Sequence, residues 1–514
     1  MKRLVSLLLA LAMCVSLTAC WESESTEPQD FWEMEREPSE PPPERESTKA
    51  TVFTLPYLNS QTLDPVACAD GVQQVVGSLL YEGLFTLDER FEPQPTLCTS
   101  CSRSSNGLTY TFTLRDGVVF SNGAPLTAAD VLATYRRAQA SDRYAARFAN
   151  VTDMRVNRSA FVMTLKQADD GLCAMLDIPI VKSGTEKDTV PVGTGPYMFH
   201  TDADGTFLVR NESWWGGTAP MERIALAPAK DADTAAYLFS AENAHLLPAD
   251  LLSETSASAL GGVDIADAST ATMLFLGFNT RRTVLGQAAM RRAMSAAIDR
   301  GAVVETLLAG HAAAAQFPIH PDAALYPAAL ETPFESGAYA AALSPEAEER
   351  LIATVAGQLE LSLLVNEENN FKVSVAEHLA KQLTAANITI KPVVLPWQDY
   401  LAALERGDFD LWLGEVRLTA DWDVAALVEK DGALNYGKYN DAALSKALKA
   451  FLASENERTA TAFYERFAEE APFLPLVFKS ISILTPEGLI GGVSPTLTRP
   501  LRGLESWTFH FPEA

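Results

Sequence analysis

Between residues 361 and 413 the apolar positions switch back and forth between two periods. Leu361 to Val365 is an unbroken apolar run of strand length, whereas Val375, Leu379 and Leu383 recur at the four-residue spacing of a helix face. Ile388 to Leu395 reads as a second strand, Tyr400, Leu401 and Leu404 as a second helix, and Phe409 to Leu413 as a third strand. This alternation predicts right-handed crossovers and a mostly parallel sheet with helices on its faces. Ligands of such sheets bind beyond the carboxyl ends of the strands, which makes Gly414 to Asp423 a candidate ligand edge.

Elsewhere the pattern is mixed and shows no internal repeat. Tyr110, Phe112 and Leu114 alternate with threonines; a turn at Asp116-Gly117 and the run Val118-Val119-Phe120 complete a half-buried, hairpin-like piece. Thr127 and Asp130 have the spacing of a capping box, with Val131, Leu132, Tyr135 and Ala138 at helical spacing behind them. Met290, Ala293, Met294, Ala297 and Ile298 define one apolar helix face, which leaves Arg291, Arg292 and Arg300 for a solvated face.

The first 50 residues follow different rules. Lys2 and Arg3 precede an apolar run from Leu4 to Leu17, and Leu17-Thr18-Ala19-Cys20 follows. About 14 apolar residues are short for a bilayer span and suit a signal peptide. The ending looks like a bacterial lipobox, in which the Cys20 thiol is acylated and becomes the mature N-terminus; the alternative is an ordinary signal with an incidental cysteine. Residues 21–50 carry ten acidic side chains against Arg36, Arg45 and Lys49, with prolines at 38, 41, 42 and 43. That composition predicts an extended, self-repelling tether.

Composition narrows the function. With 514 residues, of which 47% are hydrophobic and 21% charged, the chain has material for two to four globular domains. A net charge of −26 excludes nucleic acid as a partner, because phosphate binding needs clustered cations. Cys68, Cys98, Cys101 and Cys173 remain after Cys14 leaves with the signal and Cys20 takes lipid. Cys98-Thr99-Ser100-Cys101 lacks the second ligand pair of a zinc site, so the four fit one or two structural disulfides or free thiols, with connectivity open. His200, His245, His311, His320, His378 and His510 are scattered without metal-ligand spacing, and neither metal nor cofactor is expected. Gly193-Thr194-Gly195-Pro196-Tyr197 reads as a turn into a strand and not as a phosphate cradle.

A series of strings resembles the extracellular solute-binding protein family 5, the peptide and nickel receptors of ABC importers. It runs Thr62-Leu63-Asp64-Pro65, LLYEGLFTLD at 79–88, YTFTLRDGVVFSNGAPLTAADV at 110–131, GTGPYMF at 193–199, NESWWGG at 211–217, GFNT at 277–280, MRRAMSAAIDR at 290–300 and GDFDLWLGE at 407–415. The resemblance spans essentially the whole chain after the tether. It implies an α/β, two-lobed periplasmic-binding-protein-like fold of type II, cluster C-like, with an inserted domain and a hinge crossed twice. Lobe I would combine 51–85, 180–275 and 472–514, the inserted domain 86–179, and lobe II 276–471. A hinged closure on ligand follows from that architecture.

The resemblance also implies where ligand binds. In peptide-binding members a tryptophan follows the strand-end glycine, and an aspartate four residues after that glycine pairs with the ligand's α-amine. Counting from Gly414, those positions hold Glu415 and Leu418. The departure shifts attention to Asp421 and Asp423 as replacements and to Glu415 and Arg417 as charged contacts. Trp397 matches an aromatic position near the pocket, with a core tryptophan as the alternative, and Tyr57 and Asn59 lie on the segment that passes the cleft. The expected function is capture of a small peptide or peptide-like ligand by a monomeric, lipid-anchored receptor at the cell surface or periplasmic face, for delivery to ABC permease subunits. A signalling-peptide receptor is the alternative. A surface hydrolase lacks any G-x-S-x-G, S-x-x-K or HExxH motif in this chain. Replacing the acylated thiol, Cys20→Ala, is expected to move the full-length protein from the membrane pellet to the soluble fraction on cell fractionation; retention in the pellet would refute the anchor.

Overall fold

The computed structural model describes residues 52–253, 261–335, 359–384 and 388–511. The signal segment, the tether and Cys20 lie outside them. The strand-helix-strand-helix-strand unit forms as the periodicity predicts: Leu359–Asn366, Asn370–Leu383, Ile388–Leu395, Trp397–Arg406 and Leu411–Arg417. Asn369 starts its first helix by accepting the Lys372 N–H at 3.0 Å, and Val375, Leu379 and Leu383 point into the core. The Leu359–Asn366 strand pairs in parallel with both of the other strands. Two differences matter. The third strand continues to Arg417, so residues 414–417 lie inside it, because its other edge pairs antiparallel from Thr272↔Arg417 to Phe278↔Leu411. The sheet is therefore mixed, with the parallel unit joined to antiparallel neighbours.

Those neighbours are two long strands, Val263–Phe278 and Phe473–Pro486, paired antiparallel from Val263↔Pro486 to Gly277↔Phe473. At one end Leu274, Leu276, Leu474 and Leu476 join the core of Met290, Met294, Leu363 and Val375. At the other, Ile483 packs with Leu55, Leu79 and Ile224 and Leu484 with Leu58 and Leu247. The pair thus runs from one core to another. Its register breaks between Ser269 and Met273, and such a bulge bends a ribbon and raises its twist. Beside the break the Thr270 hydroxyl donates to the Lys479 carbonyl at 2.6 Å, and the Lys479 ammonium lies 2.9 Å from Asp250 and 3.8 Å from Glu415.

Among the described residues two four-stranded sheets stand beside this one, with two short two-stranded pairs besides. In one, Thr54–Leu58 pairs in parallel with Arg223–Ala229, followed by antiparallel Gly205–Arg210 and Tyr197–Asp202. The other is antiparallel: Cys98–Arg103, Thr109–Leu114, Ala160–Leu165 and Val151–Asn157, packed on helix Ala128–Gln139 through Phe112, Val131, Tyr135 and Phe161. That helix begins at the expected box, with Asp130 accepting the Thr127 N–H at 3.0 Å and hydroxyl at 2.6 Å. The hairpin-like piece resolves differently: Thr109–Leu114 pairs with residues 98–103 and 160–165, while Val119 bridges only to Pro125.

The apolar face of helix Ala288–Ala296 is buried as expected, yet two of the three arginines assigned to solvent are buried as well. Arg291 donates to the carbonyls of Leu285, Glu470 and Ala471, neutralising the exposed carbonyls where helix Glu457–Glu470 ends, and Arg300 donates to Pro475 and Ser295. A guanidinium survives burial when carbonyls take up its donors. Such partners are distant in sequence and leave no local periodic trace.

The antiparallel sheet unit meets Asp421 and the end of helix Ala442–Ala453, which follow the α/β unit, through carboxyls. Arg103 pairs with Asp170 at 2.7 Å and donates to the Ala453 carbonyl at 2.8 Å, and the Glu455 N–H donates to Asp170 at 3.2 Å. Gly171 is required here, since a β-carbon would fall 2.5 Å from Glu455 and 2.6 Å from Asp421. Burial, then the charge of Asp421, pushes the Asp169 carboxyl up to about 7. Burial with the charges of Asp421, Asp169, Asp170 and Glu92 pushes Glu455 up to about 9. These groups hold protons that the unfolded chain has released, and a raised carboxyl favours the folded state less as pH rises through its folded pKa. Between about pH 6.5 and 9 the melting temperature is therefore expected to fall, and Glu455→Gln, which removes the charge and keeps the shape, should flatten that slope in calorimetric scans; an equal slope in both proteins would refute the linkage.

Candidate functional site

Two residues beyond the end of helix Gly71–Leu80 stands Glu82, a glutamate within an apolar string, and the sequence around it explains how that charge is accommodated. Glu82 accepts the Thr194 hydroxyl at 2.9 Å and the indole N–H groups of Trp214 at 3.0 Å and Trp215 at 2.9 Å. Thr194 reaches it because Gly193 and Gly195 run against the helix end. A β-carbon would lie 2.0 Å from the Leu80 carbonyl oxygen at the first position and 2.5 Å from that of Leu79 at the second. The turn expected at this GTGPY string is present, and its glycines serve close approach. Burial still pushes the Glu82 carboxyl up against these three donors. Arg115 stacks over the Trp215 ring at 4.1 Å.

Glu82, Trp214 and Trp215 form one wall of a cavity of about 620 Å³, a volume within the range of about 300–1,000 Å³ common for small-molecule sites. Helix 71–80 contributes Gln74 and Ser78, the long strands contribute Ala268, Ile481 and Ile483, and the carboxyl end of strand Leu411–Arg417 contributes Arg417, Leu418 and Thr419. The segment after helix 128–139 supplies Arg143, Tyr144 and Arg147. Residues from all three sheet regions thus converge on one space.

Its charge is opposite to that of the chain. Arginines 143, 147, 417 and 499 line it, against Glu82, Asp177 and Glu505. Arg147 is paired with Asp177 and donates to the Met175 carbonyl at 3.1 Å. Arg143 stacks on Tyr144 at 5.0 Å, and its Nη1 is buried without a hydrogen-bond partner among the described residues. Burial, then the like charges of Arg147 and Arg143, depresses the Arg417 guanidinium below its ordinary range. The three guanidiniums share the single carboxylate of Asp177, which pairs with Arg147, and like charges gathered in this way favour an anion beside them. A carboxylate matches guanidinium geometry because it can accept two parallel N–H bonds.

Of the seven residues that the sequence nominated, Arg417 alone is in this wall. Asp421 is buried in the carboxyl contact, where it accepts the Thr419 hydroxyl and the Asp423 N–H, and Asp423 caps the Ala425 N–H at 2.7 Å. Burial and the Asp421 charge push Asp423 up to about 6. Glu415 faces Lys372 at 3.9 Å and Lys479 at 3.8 Å beside the long strands. Trp397 is 44% exposed and stacked on Tyr400 at 5.7 Å. Tyr57 packs edge-on against Phe199 at 5.9 Å, and exposed Asn59 donates its N–H to Ala229. Glu82, Arg143, Arg147 and the tryptophan pair were not nominated. A lone glutamate in the run LLYEGLF was a usable signal, since a charge in an apolar segment must find buried partners. Arg143 and Arg147 carried none. Among the described residues no group of three or more His, Cys, Asp or Glu side chains could hold a metal ion, and no helix is long and apolar enough to cross a membrane.

Comparison with known proteins agrees with this architecture. The glutathione-binding protein of Salmonella paratyphi A is 25% identical over 470 residues, covering 84% of this chain and 90% of its own. That of Escherichia coli K12 is 24% identical over 469 residues, with the same two coverages. Among solved structures, the nickel ABC transporter from Bacillus halodurans superposes with a TM-score of 0.70 at 20% identity, over 87% of this chain and 97% of its own. The ABC transporter substrate binding protein CtaP of Listeria monocytogenes gives 0.68 at 19% identity, over 89% and 99%. The fold is the two-lobed α/β fold of these proteins. The model of the bacterial extracellular solute-binding proteins, family 5 Middle, matches residues 92–428, well over half of the sequence. Convergent walls around one cavity, long strands joining two cores, and this match together make the chain a member of the family 5 extracellular solute-binding proteins, receptors that capture a solute for an ABC importer.

Proposed function

We propose that the solute is a small, carboxylate-bearing peptide of the glutathione kind, held by Arg143, Arg147 and Arg417. The arginine cluster is the observation that carries this reading: it gathers cations in the cavity of a chain whose net charge is −26. Glutathione has two carboxylates and one ammonium, and the indole-capped Glu82 gives the cavity an acidic group for an amine. Relatives named for binding glutathione point the same way. Lys and Asp side chains at the long strands, Lys479 with Asp250 and with Glu415, would set the hinge. The sheet of residues 54–58 and 197–229 falls within a lobe I of 51–85, 180–275 and 472–514, and the sheet of residues 98–165 within an inserted domain (86–179), while the long strands carry the chain from lobe I into lobe II (276–471). On this reading the protein is a monomer acylated at Cys20, held at the outer face of the cell membrane by its tether, and catalyses no reaction.

Isothermal titration of the full-length protein with reduced glutathione is expected to show one site. Arg417→Ala should weaken it by about 10- to 100-fold, the loss that follows when one charge-assisted contact of about 1.5–3 kcal/mol is removed. Amidating the peptide's carboxylates should weaken binding by a similar or larger factor. Tighter binding of the amidated peptide, or unchanged affinity in Arg417→Ala, would sink the assignment. A bound ligand also raises stability by RT ln(1 + [L]/Kd), about 2.7 kcal/mol at a hundredfold excess over Kd, so a thermal shift with glutathione and none with a cationic tripeptide is the expected pattern.

A further inference from the structure

The CxxC at residues 98–101 suggests a pairing that the backbone forbids. Both cysteines lie on strand Cys98–Arg103, where successive residues advance about 3.3 Å, so three steps put their α-carbons roughly 10 Å apart. A disulfide needs about 4.4–6.8 Å. The register shift between Cys98 and Ser100 shortens the span without folding the strand back on itself. Cys98 is fully buried and donates its thiol to the Ser100 carbonyl at 3.1 Å. Cys68 lies elsewhere, in the cavity wall, with its thiol toward the Asp70 carbonyl at 3.7 Å.

Cys101 has a different neighbour. Its sulfur is 3.3 Å from that of Cys173, 72 positions away in the Asp170–Met175 turn, and both residues are half-buried. Closing that gap by a little over 1 Å gives the bond length of about 2.05 Å. We propose that Cys101 and Cys173 form a disulfide in the mature protein, and that it staples together the strand and the turn that present Arg103 and Asp170 to the end of helix Ala442–Ala453.

Arg103 follows Cys101 by two residues on the strand, and Asp170 precedes Cys173 by three in the turn. These two side chains pair with each other at 2.7 Å, and together they hold the Ala453 carbonyl and the Glu455 N–H. The staple therefore ties both halves of the antiparallel sheet unit's side of that contact. The hydrogen bond from Cys173 holds the Cys101 thiol below the ordinary thiol range, which favours its thiolate as the attacking group. The oxidant is an external disulfide, either oxidised glutathione or an oxidised dithiol oxidoreductase. Cys101 thiolate attacks one of its sulfurs and expels a thiolate, leaving a mixed disulfide. Cys173, its proton lost to solvent, attacks the Cys101 sulfur and expels the second thiolate. The protein gives up two protons and two electrons, and the reagent leaves as two thiols.

The test uses the full-length chain exported by a bacterial host, alkylated with N-ethylmaleimide before any reduction, then digested and mapped by mass spectrometry. The expected product is one cross-linked pair of peptides containing Cys101 and Cys173, about 2 Da lighter than the two thiol peptides, with Cys68 and Cys98 alkylated. Alkylation of both Cys101 and Cys173, or a bond from either to another cysteine, overturns the pairing. Hydrogen exchange then tests the staple. Reduction of the wild-type protein should raise exchange by at least about threefold in peptides covering 169–175 and 453–455, and the Cys101→Ser/Cys173→Ser variant should not respond. Unchanged exchange on reduction overturns the structural role. If the double variant does not fold, wild-type mapping and exchange decide both points.

Discussion

The paired strands Val263–Phe278 and Phe473–Pro486 are the constraint on which the rest of the molecule depends. Each crosses from one hydrophobic core to another, so the backbone itself joins the two halves. Hydrogen bonds along such a ribbon resist shearing, while the register break at Ser269 to Met273 supplies a place to bend. Bending about one short segment is the structural signature of hinge closure. The charged side chains at that segment come from different parts of the chain: Asp250 precedes the first strand, Glu415 belongs to the α/β unit, and Lys479 between them is 8% exposed. Bending there would change the distances of an ion-paired lysine and so couple the electrostatics of this segment to its mechanics.

The cavity follows from the same geometry. It sits where the long strands pass, which is why Ala268, Ile481 and Ile483 contribute small or apolar surface to its floor. Polar specificity comes from segments attached to either side. Glu82 and its indole donors are rigid, because the Gly193 and Gly195 backbone is pressed against a helix end. The arginine group is assembled differently, from the 143–147 segment and strand Leu411–Arg417 together. On the proposed reading, an anion placed among them would relieve repulsion between separate units of the fold and so couple binding to closure. The carboxyl contact of Asp169, Asp421 and Glu455 is its counterpart on the same flank, where burial and mutual repulsion are eased by protons.

Much of the fold was legible in local pattern. The α/β unit was readable because its strands and helices differ in period, and Asn369, Thr127 and Asp130 mark helix starts by short-range hydrogen bonds. The order of family strings carried the two-lobed architecture. Reading failed where the deciding partner is remote. Strand Leu411–Arg417 outlasts its apolar run because Thr272 to Phe278 pairs with it, and Arg291 is buried because carbonyls some 180 positions away receive it.

Sequence by itself determined the kinds of element, their order, the helix caps and the family. These depend on neighbours within a few residues or on strings read in sequence. Tertiary structure alone decided which charges face the cavity. Asp421 and Asp423, adjacent to Arg417 in the chain, turn into the carboxyl contact, whereas Arg143 and Arg147, more than 250 positions away, turn toward Arg417. The physical reason is that a charge's role is set by what surrounds it within a few ångströms, and only the folded chain brings those surroundings together.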